Sequence, residues 1–174
     1  MKKINRMTNI AVIAAIYLVL SMALQSLSYN AIQIRVAEAL VVTAIVSKDG
    51  IYGTTIGCLI TNTVGVLLAM NNFGGVDIIF GTLLTLISSI LAYKFRVITI
   101  SKYKIPLVSL MMPVIINTIG LPIVFAFAFH QAFYLNVFFM EALFIFLGQF
   151  VSCVILGAVV YNKTEVSLRK YLNN

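Results

Sequence analysis

Charge is the scarcest property of this 174-residue chain. Asp, Glu, Lys and Arg make up 10% of it and hydrophobic residues 61%, against about 25% charged and about 45–50% apolar in ordinary soluble domains. A soluble globular fold is excluded on that ground. Motifs for catalysis and nucleotide use are missing too: there is no G-x-x-x-x-G-K-[ST] loop to cradle phosphates, no H-E-x-x-H, no G-x-S-x-G elbow and no cluster of Cys with His. The chain therefore cannot hydrolyse ATP alone, and no catalytic residue, metal site or cofactor is expected. Cysteine is limited to Cys58 and Cys153. Both sit in apolar stretches without the spacing of a disulfide framework or metal site, so both are expected to be buried, inert thiols. The single histidine, His130, falls in an expected outer loop as a solvated or interfacial residue.

What the chain does have is long apolar runs. A transmembrane helix needs about 20 apolar residues, so this length allows about six or seven spans with short connections and no second domain. Breaks in the runs place six spans at about 8–28, 34–47, 51–70, 76–93, 105–129 and 134–161. The expected fold class is an all-α integral membrane protein, a single membrane domain over residues 1–174 with six transmembrane helices and both termini on one side. The second span is the weakest. Its firmly apolar part is Ala37 to Val46, and it opens on Gln33, Arg35 and Glu38, so it is expected to be tilted, short or partly unwound. The start Met1-Lys2-Lys3, with Ser21 and Ala23 in small-x-small spacing, has some of the look of a secretory signal. Its apolar run continues to Leu27, beyond the usual core of about 7–15 residues, which favours a retained first span.

Orientation follows from the basic residues. With the N-terminus inside, Lys2, Lys3, Arg6, Lys48, Lys94, Arg96, Lys102, Lys104, Lys163, Arg169 and Lys170 are all cytoplasmic, and Arg35 alone lies on the outer side. Both termini are then cytoplasmic, in a multi-pass protein of the cell membrane. The formal net charge of +7 is accounted for by attraction to anionic lipid headgroups, about 1 kcal/mol for each basic residue near the surface. Nucleic-acid binding is not needed to explain it.

The polar residues inside the spans gather in the outer half of the membrane. An ionised carboxylate at the bilayer centre costs about 2.5–3.5 kcal/mol on insertion scales, so each needs a partner or a role. Counting about 1.5 Å per residue from the outer span ends puts Glu141 roughly 10 Å deep, Asn62 roughly 12 Å and Asn117 roughly 18 Å, with Arg35, Glu38 and Asp77 shallower. Together the six describe a polar cup open to the outside. Other readings stay open for individual members. Arg35 and Glu38, three apart, could form a mutual ion pair. Asp77, following Asn71-Asn72-Phe73-Gly74-Gly75-Val76, could cap the fourth span. Asn62 and Asn117 could be interhelical hydrogen bonds. Small residues add a second signal: Ala11-x-x-x-Ala15 with Ala14 on span one, Gly53-x-x-x-Gly57-x-x-x-Thr61-x-x-x-Gly65 on span three and Gly148-x-x-x-Ser152 on span six. Each leaves a strip where another helix can approach closely, inside the bundle or from a partner.

Three blocks carry a family resemblance: Arg35-Val36-Ala37-Glu38-Ala39-Leu40, Gly57-Cys58-Leu59-Ile60-Thr61-Asn62 and Asp77-Ile78-Ile79-Phe80-Gly81-Thr82-Leu83. In this order the chain resembles the queuosine-precursor transporter family, QueT, and the likeness continues through Pro113, Asn117, Asn136, Glu141 and Gly148. It departs from the family pattern at Val42-Thr43-Ala44-Ile45 and in a plain outer loop around Asn71. The resemblance implies a substrate-binding S component of an energy-coupling factor (ECF) transporter. Such a protein takes up a 7-deazaguanine outside the cell, either the 7-cyano or 7-aminomethyl compound or queuine. It then docks through span one onto a transmembrane T component coupled to two cytoplasmic ATPases. On this resemblance Ala11, Ala14 and Ala15 form the docking strip, while Glu38, Asn62, Asp77, Asn117, Glu141 and Arg35 bind substrate, with Phe80 or Phe138 stacking on the ring. A guanine-like edge offers two N–H donors to a carboxylate and a carbonyl to an amide or Arg donor. Alternatives are an S component for another vitamin or purine-like compound, a structural membrane subunit, and a membrane-embedded enzyme.

Overall fold

The computed structural model describes residues 2–24, 34–70, 74–99, 105–129 and 134–172. His130, Gln33, Asn71, Lys102, Lys104 and the stretch around Leu27 lie outside the described residues. Among the described residues six helical segments follow one another: α1 (Lys2–Ala23), α2 (Val36–Val46), α3 (Lys48–Leu67), α4 (Gly74–Lys94), α5 (Leu107–Ala128) and α6 (Leu135–Leu172). Among the described residues there is no strand. All but α2 contain a stretch long and apolar enough to cross a membrane, which agrees with the all-α membrane class read from hydropathy.

α2 is short for a physical reason. It begins as a 3-10 turn, Val36–Leu40, and becomes α-helical only over Val41–Val46. At about 2.0 Å and 1.5 Å per residue the whole segment is about 19 Å long, well under the roughly 30 Å of bilayer hydrocarbon. Ala37, Glu38 and Ala39 are buried, as is every residue from Val41 to Val46, and only Val36 and Leu40 are partly exposed, so α2 sits largely inside the bundle. It packs against α1, α3, α4 and α6. Val42, Ile45 and Val46 form one core with Ala92 of α4, Leu110 and Val114 of α5, and Cys153, Val154 and Tyr161 of α6.

Ser47 ends α2 in an extended conformation, and its side chain accepts a hydrogen bond from the Asp49 amide to cap α3. The corner also depends on Gly50. A Cβ there would lie 2.1 Å from the carbonyl carbon of Thr43, so only glycine lets α3 pass so close to α2. The glycine strip of α3 is filled from within the chain: Cβ atoms at Gly53 and Gly57 would each lie 2.6 Å from Ile13 and Tyr17 of α1. α1 and α3 therefore pack backbone to side chain along that strip.

One end of the bundle gathers both ends of the described chain. Arg6 Nε donates to Asp49 Oδ1 at 2.9 Å, and Ser47 Oγ donates to the Leu172 carbonyl at 3.3 Å. The start of α1, the start of α3 and the end of α6 are thus neighbours, which places the site elements described next toward the other end of α1 and α3.

Candidate functional site

The site is built around an ion pair between helices distant in sequence. Arg35 precedes the 3-10 turn of α2, and its Nη2 donates to Asp77 Oδ2 of α4 at 2.5 Å, with side chains 8% and 0% exposed. Asp77 opens a π-helical turn, Asp77–Gly81, within α4. Such turns are rare and cluster at functional sites. The turn requires Gly81: a Cβ there would meet Asp77 Oδ1 at 2.2 Å and Asn62 Nδ2 at 3.2 Å. Asn62 of α3 closes this side by donating to the Asp77 backbone carbonyl at 2.9 Å.

Glu38 anchors the other side. Its Oε1 accepts from the hydroxyl of Tyr17 on α1 at 2.7 Å, and its backbone carbonyl lies 3.7 Å from Cys153 Sγ of α6. Cys58 Sγ stands between the two groups, accepting from Asn62 at 3.5 Å and from Thr85 at 3.4 Å. Both cysteines are buried, as expected, yet both take part in the hydrogen bonding of the site. Tyr17, Arg35, Glu38, Asn62, Asp77 and Gln149 are all at most 7% exposed. Charged and amide side chains enclosed in this way are expensive inside a membrane and make this the candidate functional site.

Four of the six expected binding residues are brought together here: Arg35, Glu38, Asn62 and Asp77. Two of the alternatives for them give way to different geometry. Arg35 pairs with Asp77 and not with Glu38, because Arg35 lies outside the helix with φ −82° and ψ 83°, so helical i, i+3 spacing does not apply. Asp77 is no cap either. The helix begins a turn earlier, at Gly74, and the carboxylate turns inward to Arg35.

Asn117 is 3% exposed on α5, and its side chain makes no hydrogen bond among the described residues. α5 touches the Asp77–Gly81 turn. Glu141 is half-buried on α6. Since Glu38 meets α6 at Cys153, twelve residues further along, Glu141 stands about 18 Å nearer the start of α6 than that contact. Phe80 is 45% exposed on the bundle surface, which does not suit a ring-stacking role; Phe138 is partly buried.

On α1 the small residues divide between two faces. Ala11 and Ala15 are exposed beside Val12, Ile16 and Val19, whereas Ala14 is 4% exposed and faces Gly57 of α3. Ala14 thus belongs to internal packing, and the outward strip is Ala11 and Ala15. Residues absent from the expected site are Tyr17, Gly81, Gln149 and the two cysteines. Gln149 carried a usable signal, a lone amide within the apolar run Leu143 to Leu156.

A helical bundle with exposed apolar flanks and helices long enough to cross a membrane defines a multi-pass membrane protein, and the enclosed carboxylates, guanidinium and amides are its candidate site. The sequence profile described as QueT transporter matches residues 7–165. The chain belongs to the QueT transporter family, a family of the cell membrane. Over 80 residues it is 42% identical to the "Queuosine precursor transporter QueT" of Lactococcus lactis subsp. cremoris (strain MG1363), a match covering 45% of this chain and 43% of that relative. The match thus spans less than half of the relative's length. No solved structure matches the chain.

Proposed function

We propose that the chain is the substrate-binding S component of an ECF-type importer, and that it takes up a 7-deazaguanine precursor of queuosine from outside the cell. The carrying observation is the enclosed constellation of Arg35–Asp77, Glu38 and Asn62 in a chain of a transporter family. A guanine-type ring presents adjacent N–H donors and a carbonyl, and Glu38 with the buried amides offers the complementary acceptors and donors. Arg35 and Asp77, already paired, hold α2 against α4 and orient the floor of the site. Asn117 reaches it from α5, and Glu141 lines its approach.

The same reading assigns the remaining parts. The chain is a single membrane domain with both ends cytoplasmic, the end of the bundle at Arg6, Asp49 and Leu172 facing inward. It is not an enzyme and needs no cofactor. A chain without a nucleotide-binding loop depends on others for energy, here a T component and two cytoplasmic ATPases. The exposed Ala11 and Ala15 offer α1 a flat apolar face on which the T component docks. The surrounding apolar flanks contact lipid.

Uptake tests this coupling. Cells depending on this chain should accumulate labelled 7-aminomethyl-7-deazaguanine, and should lose that uptake when the ECF ATPases are deleted. Uptake that survives their deletion would rule out the ECF assignment.

A further inference from the structure

Gln149 has no role in the account so far. It is 2% exposed, at the point where α6 passes from α-helix into the π-helical segment Phe150–Leu156. Its Oε1 accepts a hydrogen bond from Cys153 Sγ at 3.3 Å, and the same sulfur lies 3.7 Å from the Glu38 carbonyl oxygen. Among the described residues this is the hydrogen bond that the Gln149 side chain makes. With its oxygen engaged there, its two N–H donors are left to present.

Two further features point to a ligand. A lone amide enclosed within an apolar span is costly there and marks a candidate ligand contact. Among the described residues the π-helical segment is the second such departure, and the first carries Asp77. Because the 3-10 turn of α2 packs directly on this segment of α6, Gln149 and Glu38 come from facing elements. One offers donors and the other acceptors.

We infer that Gln149 is a specificity-determining residue of the substrate site, its Nε2 donating to the ring carbonyl of the ligand while the Glu38 carboxylate accepts from the neighbouring ring N–H. The inference rests on the binding role proposed above. A lactam, with N–H beside C=O, satisfies both residues. Replacing that carbonyl by an amine sets donor against donor at Gln149 and turns the adjacent ring N–H into a bare acceptor facing Glu38, and a site built on such hydrogen bonds rejects the mismatched analogue strongly.

The test is equilibrium binding by the purified full chain of two ligands: 7-aminomethyl-7-deazaguanine and its analogue with an amine in place of the ring carbonyl. Wild type should favour the lactam at least 100-fold. Gln149→Met, close in volume and without donors, should bind the lactam at least tenfold more weakly and lower the preference at least tenfold, leaving the part set by the mismatch at Glu38; Gln149→Leu should do the same. A merely structural role would lower thermal stability and leave the preference unmoved, and that result overturns the inference. So does a wild type that binds both ligands equally. A wild type that binds no deazaguanine overturns the binding role itself, which separates the two failures.

Discussion

Arg35→Met removes the cation from an ion pair whose side chains are 8% and 0% exposed, leaving the Asp77 carboxylate enclosed without it. Breaking a buried pair from one side costs about 3–5 kcal/mol, because the uncompensated charge stays buried. That is roughly a hundredfold to several thousandfold in the folding equilibrium. For a chain of this size each kcal/mol moves the melting temperature by about 2–4 °C, so the expected loss is about 6–20 °C. Replacing both partners, Arg35→Met with Asp77→Leu, should recover most of it, since apolar residues of similar volume often substitute for a buried pair without loss. The Asn62 bond survives in every variant because it reaches the Asp77 backbone carbonyl. The assay is heating of the detergent-purified protein without ligand, followed by the monodisperse fraction on size exclusion. Single variants shifted by less than about 3 °C, or a double variant as unstable as the sum of the singles, would refute the reasoning.

Other parts of the structure give sharper, smaller tests. Gly81→Ala adds a methyl 2.2 Å from Asp77 Oδ1, which should push the carboxylate off Arg35 at a cost of about 1–3 kcal/mol; Gly75→Ala, with nothing within 4 Å of the new carbon, should melt like wild type. Tyr17→Phe deletes a hydrogen bond to a buried carboxylate, worth about 1.5–3 kcal/mol, and ligand titration should show affinity reduced about tenfold or more. Ala11→Trp and Ala15→Trp, on the exposed face of α1, should abolish co-purification with a T component while sparing ligand binding. Ala14→Trp, facing Gly57, should instead reduce folded yield, and equal behaviour of all three would place the docking face elsewhere.

Much of the architecture was legible in the sequence because hydropathy reports the medium directly. Apolar runs marked every spanning helix, and Gln33, Arg35 and Glu38 warned that the second would be irregular. Pairing was less legible. Arg35 and Glu38 have the spacing of helical neighbours, yet Arg35 sits just ahead of the helix and finds its partner 42 residues away. Local spacing carries no information about such a contact. Asp77 looked like a cap because Gly74 and Gly75 looked like a loop; they are instead the first turn of α4. Depth counting put Glu141, roughly 10 Å deep, and the shallower Glu38 into one cup because it assumes that all spans meet the membrane at one level. A short, largely buried α2 breaks that assumption, and Glu38 meets α6 at Cys153.

The most direct measurement is binding by the purified chain alone, without T component or ATPases, of 7-cyano- and 7-aminomethyl-7-deazaguanine against guanine, thiamine and riboflavin, for wild type and Glu38→Gln. The account predicts binding of at least one deazaguanine at micromolar concentrations or below, no binding of thiamine or riboflavin, and a loss of well over tenfold in Glu38→Gln, beyond the 1.4 kcal/mol that tenfold represents. Absence of binding to both deazaguanines, or unchanged affinity in Glu38→Gln, would contradict it.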